Sequence, residues 1–458
     1  MRKNNKKNQD CEKAEKKNSS PTLFDLGTLQ GKKVTVDFTA EEVSSDGGLL
    51  LLREVENQIR IIERLASCIE DTRHQSYVKH SMKSLMSQRI YQIAAGYEDT
   101  NDSDALKEDS IIKICSGKQE TLAAQPTICR FENTPGRKEL YNMAVALADH
   151  FIDSYTHEPP VIILDCDDTN SNTYGDQQYS LFNDYYGEYC YMPLHIYEGL
   201  SGKLITTILK PGRRSKNINV YSILSRLIRH LRASWKNTII VVRGDSHFCC
   251  KELMDWAYGQ KAVHFITGLT GNPVLNKLAR VTIESAEGEY KQYGNPVKRF
   301  HSFEYQASSW EHPQRVVVKV EANSMGTNIR YIVTDMRQYK TRQLYEIGYC
   351  ARGGMELRIK DHKLYLHSDR MSCNSFLANQ MRLFLYSAAY ILIHTLQKEM
   401  LRGTEYFNAT MKTIQLKLIK IAARVKFRKT KIHIELPKDF AGKFVFEKIF
   451  GMFEMLRC

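Results

Sequence analysis

Val161-Ile162-Ile163-Leu164-Asp165-Cys166-Asp167-Asp168-Thr169 is the stretch on which the reading of this chain turns. Four aliphatic residues in a row show no alternation, the pattern of a strand covered on both faces. The run ends in three carboxylates. A second stretch repeats the design, with Thr238-Ile239-Ile240-Val241-Val242 leading into Arg243-Gly244-Asp245-Ser246. Between the two lie strand-length runs from Tyr191 to Tyr197 and from Lys203 to Leu209, and a helical run from Val220 to Leu231. Together they describe an α/β sheet of mixed direction. Ligands collect where such strands deliver side chains at their carboxyl ends, so the two acidic ends are expected to face one crevice. Strand alternation sets Asp165 and Asp167 on one side and Asp168 on the other. Only one acid of the first cluster needs to be a ligand, and a strand-end Asp also serves as a turn former or helix cap.

Working outward, Met1 to Ser20 is basic and polar without an apolar centre, which reads as a disordered arm and not as a signal peptide or membrane span. From Ser44 to Asp153 the apolar residues Leu49, Leu52, Val55, Ile59, Ile62 and Leu65 recur near the helical period, and Met82 to Tyr97 continues it. Such a unit either docks on DNA or simply packs. Past Asp245, alternating runs at Phe300 to Tyr305, Arg315 to Val320 and Arg330 to Val333 read as a β-rich insertion. Trp310 falls on a turn within it, where it would stack on an extruded base or serve local packing. Phe376 to Leu396 is apolar but carries Asn379, Gln380, Arg382 and His394, so it reads as a buried helix and not as a membrane span. Arg424 to Ile434 alternates with a basic face, either a DNA-contacting edge or a lysine-protected edge strand. The boundaries that follow are a basic arm over 1–33, a helical DNA-binding domain over 34–155, and an α/β core over 156–271. The insertion spans 272–335, the core resumes over 336–402, and a basic segment closes the chain over 403–458.

Lysine and arginine exceed aspartate and glutamate by 65 to 52, a net charge of +13 that favours a polyanionic partner. Eleven cysteines form no C-x-x-C pair and are odd in number, which argues against a zinc ribbon or a disulfide scaffold. There is no G-x-x-x-x-G-K-[ST] phosphate loop and no H-E-x-x-H zinc helix.

One further segment carries chemistry: Tyr349-x2-Arg352-x3-Glu356-x6-Lys363. On a regular helix these side chains and Lys360 share a stripe. A lone acid among phosphate-seeking cations points to a divalent ion standing between carboxylate and phosphate. The alternative is a solvated face with ion pairs at i,i+4 spacing. Gly353 and Gly354 cost a helix about 2 kcal/mol relative to alanine, so the helix is expected to start or bend there, with Tyr349 and Arg352 on the preceding turn.

Asp-x-Thr after the first strand, Arg-x-Asp-Ser after the later one, the β insertion and Tyr-x2-Arg-x3-Glu-x6-Lys together resemble the DDE transposases of bacterial insertion sequences. Gly96-Tyr97-Glu98-Asp99-Thr100-Asn101-Asp102, Tyr191-x-Pro193-Leu194 and Ala378-Asn379-Gln380 are similar to the insertion-sequence family numbered thirteen-eighty. The resemblance runs from about Phe38 nearly to the end. It implies a ribonuclease-H-like core with Asp167, Asp245 and Glu356 as catalytic metal ligands, and Asp165 in reserve for the first. It implies DNA contacts by Tyr349, Arg352 and Lys363, to which the shared stripe adds Lys360. Two Mg2+ ions, replaceable by Mn2+, would serve cleavage at the terminal inverted repeats and transfer into target DNA. A homodimer in the synaptic complex and a cytoplasmic, nucleoid-associated location are the matching expectations. Two positions depart from the family pattern: Tyr174 stands where His is usual, and His247 where Gly is usual. A nuclease of the same core without transfer activity, and a catalytically silent DNA-binding relative, remain the alternatives.

Overall fold

The computed structural model describes residues 23–213 and 220–457. The basic arm expected at the N-terminus lies outside them as far as residue 22; Phe24–Leu29 and Lys32–Val36, by contrast, pair as an exposed antiparallel hairpin.

Eight strands form the central sheet: β1 Val161–Asp168, β2 Leu194–Glu198, β3 Leu204–Ile208, β4 Ile239–Gly244, β5 Val263–Leu269, β6 Val297–Tyr305, β7 Gln314–Asn323 and β8 Gly326–Thr334. Their spatial order is β6-β7-β8-β5-β4-β1-β2-β3. The two acid-ending strands are adjacent and parallel, with Asp165 beside Arg243, and β5 runs parallel on the far side of β4. All other pairs are antiparallel. The stretch from Tyr191 to Tyr197, read as one strand, is two. It breaks at Met192-Pro193, where proline has no N–H to give a ladder, and its halves join different sheets.

Helices follow the numbering α1 Leu49–Ile59, α2 Met82–Ala94, α3 Arg137–Asp153, α4 Val220–Ser234, α5 Lys251–Tyr258, α6 Arg280–Tyr293, α7 Gly353–Lys360 and α8 Phe376–Thr395. On one face of the sheet Ile162, Leu164, Ile240, Val242 and Val318 share a core with Leu224 and Leu231 of α4 and Leu253 of α5. The other face meets the segment around α7 and the long helix α8, through Ile266 and Val317 against Leu344 and Tyr345, and Tyr197 against Tyr390. The region read as a β-rich insertion opens with a short helix, Pro273–Leu278, and α6, and its three strands β6 to β8 extend the central sheet through the β8–β5 pair.

The N-terminal helices do not form a body apart. Leu52, Val55 and Leu85 share one apolar core with Leu392 of α8 and with Leu418, Val445 and Phe446 of the closing segment. Gly48 marks how closely the two ends meet, since a Cβ there would lie 1.8 Å from the Leu418 carbonyl oxygen. Phe376–Met400 is the one helix among the described residues long and apolar enough to cross a membrane, and it is almost wholly buried in the protein. Its Gln380 accepts from Leu209 N (2.7 Å) and donates to Thr207 O (3.3 Å), so α8 closes the free edge of β3.

Candidate active site

The three carboxylates at the end of β1 meet three different fates. Asp165 is wholly buried, and Arg243 grips it with two donors, Nε to Oδ1 at 2.5 Å and Nη2 to Oδ2 at 2.7 Å. Arg358 of α7 adds a second cation at 3.9 Å. In this structure both oxygens of Asp165, the reserve metal ligand of the sequence reading, are engaged by arginine inside the protein. Asp168, on the opposite side, pairs with Lys210 at 2.7 Å and borders a cavity of ≈ 370 Å³ with Tyr185, Tyr186 and His247.

Asp167 is the acid left with unmet charge. Burial, with Asp245 and Asp168 adding like charge, pushes its carboxyl up to about 7, while Arg352 at 3.6 Å pulls the other way. Asp245 lies just past the end of β4, where it accepts from His247 N at 2.8 Å and its other oxygen stands 3.6 Å from His247 Nδ1. The neighbouring parallel strands therefore deliver two carboxylates near enough that the charge of Asp245 raises the cost of ionising Asp167. Tyr349 and the Asp245-Ser246 backbone both crowd Gly268, where a Cβ would lie 2.9 Å from the Tyr349 hydroxyl and 2.8 Å from Ser246 N.

The helical segment from Thr341 to Tyr365 is continuous, and its regular α-helical part starts at Gly353, with Tyr349 and Arg352 on the turns before it. It changes pitch instead: a π turn over Leu344–Tyr349, a tight turn over Cys350–Arg352, α7, and a second π turn over Asp361–Tyr365. Each change shifts the phase, so the stripe of a regular helix from Tyr349 to Lys363 is not one face, as the glycine pair implied for Tyr349 and Arg352, and the second π turn shifts Lys363 as well. Arg352 reaches Asp167, Lys360 is exposed, and Lys363 donates to the Asn170 carbonyl at 2.6 Å, tying down the loop that leaves β1. Glu356 is exposed on the first turn of α7. Among the described residues no three His, Cys, Asp or Glu side chains stand close enough to hold one metal ion, so Asp167, Asp245 and Glu356 are not gathered into a finished triad.

Trp310 is elsewhere. The register places Glu304 of β6 level with Arg243 across four strand pairings, so the loop beyond Tyr305 lies towards the end of the sheet where β4 enters, away from the acids. Its ring stands edge-on to Tyr305, centroids 5.4 Å apart. Sequence reading passed over Arg243, Arg358 and Lys210, the cations that dispose of the surplus acids. A signal existed for the first: Asp165-x-Asp167 and Arg243-x-Asp245 are the same pattern, and aligning parallel strands on their final acids sets Asp165 beside Arg243.

Paired carboxylates at the ends of parallel strands, faced by a cationic helical segment, define a class of site suited to metal-assisted chemistry on a phosphate backbone. The chain matches the family described as Transposase DDE domain group 1 over residues 26–458 and belongs to that family. It is also similar to a solved structure, the cryo-EM structure of the piggyBac transposase synaptic complex with hairpin DNA, at 10% identity and a TM-score of 0.43, covering 82% of this chain and 80% of that one. No curated protein matches.

Proposed function

We propose that this transposase acts on the terminal inverted repeats of a bacterial insertion sequence like that numbered thirteen-eighty, cutting the DNA and joining the freed 3' ends to a target. The observation that carries the reading is the coupled pair Asp167 and Asp245, at the ends of adjacent parallel strands, with Arg352 upon it. The order β3-β2-β1-β4-β5, antiparallel then parallel, supports a ribonuclease-H-like core.

The donor set fits a hard divalent cation. Asp167 and Asp245 are oxygen ligands whose mutual repulsion in a half-buried site a cation would relieve, and Mg2+ is commonly held by one or two carboxylates plus phosphate and water. Bound there, Mg2+ or Mn2+ supplies an activated water and a counter-charge for the departing 3' oxygen. Glu356 is the proposed third ligand and has to come towards the pair as DNA is engaged. Arg352 holds the Asp167 carboxylate in the meantime, and its forked guanidinium suits a phosphate once released. Lys360 projects to the DNA side as a point charge, Lys363 holds the Asn170 loop, and Tyr349 shapes the floor beside Asp245. The partners proposed are transposon ends, target DNA and a second copy of the chain, in the cytoplasm at the nucleoid.

Labelled duplexes carrying the inverted repeats, incubated with purified protein and Mg2+, test the reading. The native chain is expected to give cleaved and then joined products, and both Asp245→Asn and Glu356→Gln to lose cleavage while still binding the ends. Cleavage without joined products would turn the assignment towards a nuclease. Cleavage at the native rate by Asp245→Asn would overturn the site.

A further inference from the structure

We infer that Asp165, Arg243 and Arg358 form a buried latch that holds the helical segment bearing Tyr349, Arg352 and Glu356 against the sheet, with Arg352 set beside Asp167. The inference rests on the site just described but concerns residues to which that reading assigns no chemistry.

The latch is built from both sides. From the sheet, Arg243 is nearly inaccessible, spends two donors on Asp165, and sends its third, Nη1, to the carbonyl of Gly348 at 2.6 Å. That carbonyl belongs to the residue before Tyr349, so the ion pair reaches across the layer and fixes the turn that presents Tyr349 and Arg352. From the helix, Arg358 comes down towards Asp165 (3.9 Å) and donates to the carbonyls of Glu198 and Gly199, each at 3.3 Å. The segment is therefore pinned on each side of Glu356, at Gly348 and at Arg358.

The turn between β2 and β3 is shaped to admit both arginines. A Cβ on Gly199 would lie 2.8 Å from Arg243 Nη2 and 3.0 Å from Asp165 Oδ2, and a Cβ on Gly202 would lie 2.8 Å from Arg358 Nε. Gly202 also has φ +79°, a conformation other residues resist. Buried Glu198 holds the same turn by accepting from Ile163 N, Leu200 N and Ser201 N. A buried ion pair with its donors satisfied is better suited to fixing a unique arrangement than to adding stability. Here the arrangement it fixes is a helical segment with a π turn at either end of the pinned region, the kind of irregularity at which a helix can change register. Asp165 is a positioning residue, acting through two arginines on a helix, where sequence alone made it a spare ligand.

Three measurements on the full-length protein test this, two of them without DNA. In Asp165→Asn, hydrogen exchange over residues 341–365 is expected to speed up on the order of tenfold while the central strands stay protected. Mn2+ affinity measured by calorimetry should match the native protein in Asp165→Asn and fall in Asp167→Asn. In single-turnover assays Asp165→Asn should slow end cleavage about a hundredfold with unchanged affinity for the ends, the signature of a misplaced helix. Arg358→Gln keeps the Asp165–Arg243 pair and carries the same three tests should Asp165→Asn not fold, with Arg358→Lys expected to recover part of the rate. Unchanged exchange over 341–365, or loss of Mn2+ affinity matching that of Asp167→Asn, overturns the latch. If the native chain shows no cleavage at all, the functional reading fails, while exchange and Mn2+ binding still decide the latch.

Discussion

The crevice at the ends of β1 and β4 and the charged cluster beneath the Tyr97-Glu98 turn are built from the same kinds of side chain and treat charge in opposite ways. In the cluster, Arg89 and Arg382 share Glu132 (2.9 and 3.8 Å), all three nearly inaccessible. Arg89 also donates to the carbonyl of Tyr97 at 3.1 Å and to that of Glu98, and Arg382 to the carbonyl of Glu98 at 3.1 Å and to the hydroxyls of Ser372 and Tyr386, while its Nε has no hydrogen-bond partner among the described residues. In the crevice, Asp167, Asp168 and Asp245 crowd together with Arg352 and Lys210 answering two of them, and Asp167 is left holding a proton near neutrality. A buried cluster whose charges are matched reads as structural, and one left with a deficit of positive charge is the place to look for a bound cation. The contrast also explains a family-like motif: Gly96 to Asp102 supplies carbonyls to buried arginines and ties α2 to α8.

The largest effect expected from this contrast is on stability, and only in the charge-matched cluster. Arg382→Met leaves Glu132 with Arg89 as its one cation and takes one of three donors from the Glu98 carbonyl, and breaking a buried charge network of this kind costs about 3–5 kcal/mol. Urea unfolding should show that loss in Arg382→Met and little or none in Asp167→Asn. Equal losses in both would erase the distinction.

Much of the core could be read from sequence because continuous aliphatic runs and their terminal acids are local signals. The runs at Val161 and Thr238 are strands, they are neighbours, and Asp167 and Asp245 do lie close enough to interact. What covers an apolar face is not local. The helical period of Leu49 to Leu65 shows that a face is buried, but not that Leu418 and Phe446 help bury it. The π turns around α7 were equally out of reach, since backbone pitch leaves no mark in residue type, and with them went the place of Lys363 on the stripe.

A smaller effect comes from the proton on Asp167. Its folded value of about 7 exceeds the ordinary aspartate value of 3.8, so between those limits the folded chain binds a proton that the unfolded chain releases. The sign is then set: this group's contribution to stability falls as pH rises from about 4 to about 7. Asp167→Asn, which has no charge to bury, should gain on the native protein by a few degrees in melting temperature at pH 8 and by nothing near pH 4. Mg2+ at pH 8 should raise the native melting temperature and leave that of Asp167→Asn nearly unmoved. A gap independent of pH would mean that the crevice is as well compensated as the arginine cluster, and the comparison would fail at its more important end.

The smallest effect concerns Trp310, which sequence alone left between base stacking and packing. If it belonged with the crevice, replacing it would weaken binding to transposon ends. The register of β4 to β8 carries its loop towards the opposite end of the sheet, and its ring already has an edge-on partner in Tyr305. Trp310→Phe keeps an aromatic ring against Tyr305 and should cost about 0.5–1.5 kcal/mol at most, with end binding unchanged in a gel-shift titration. Binding weakened severalfold with stability intact would bring a second DNA-contacting surface to the far end of the sheet, and the acids could then no longer be treated as the one place where this molecule leaves its chemistry unsatisfied.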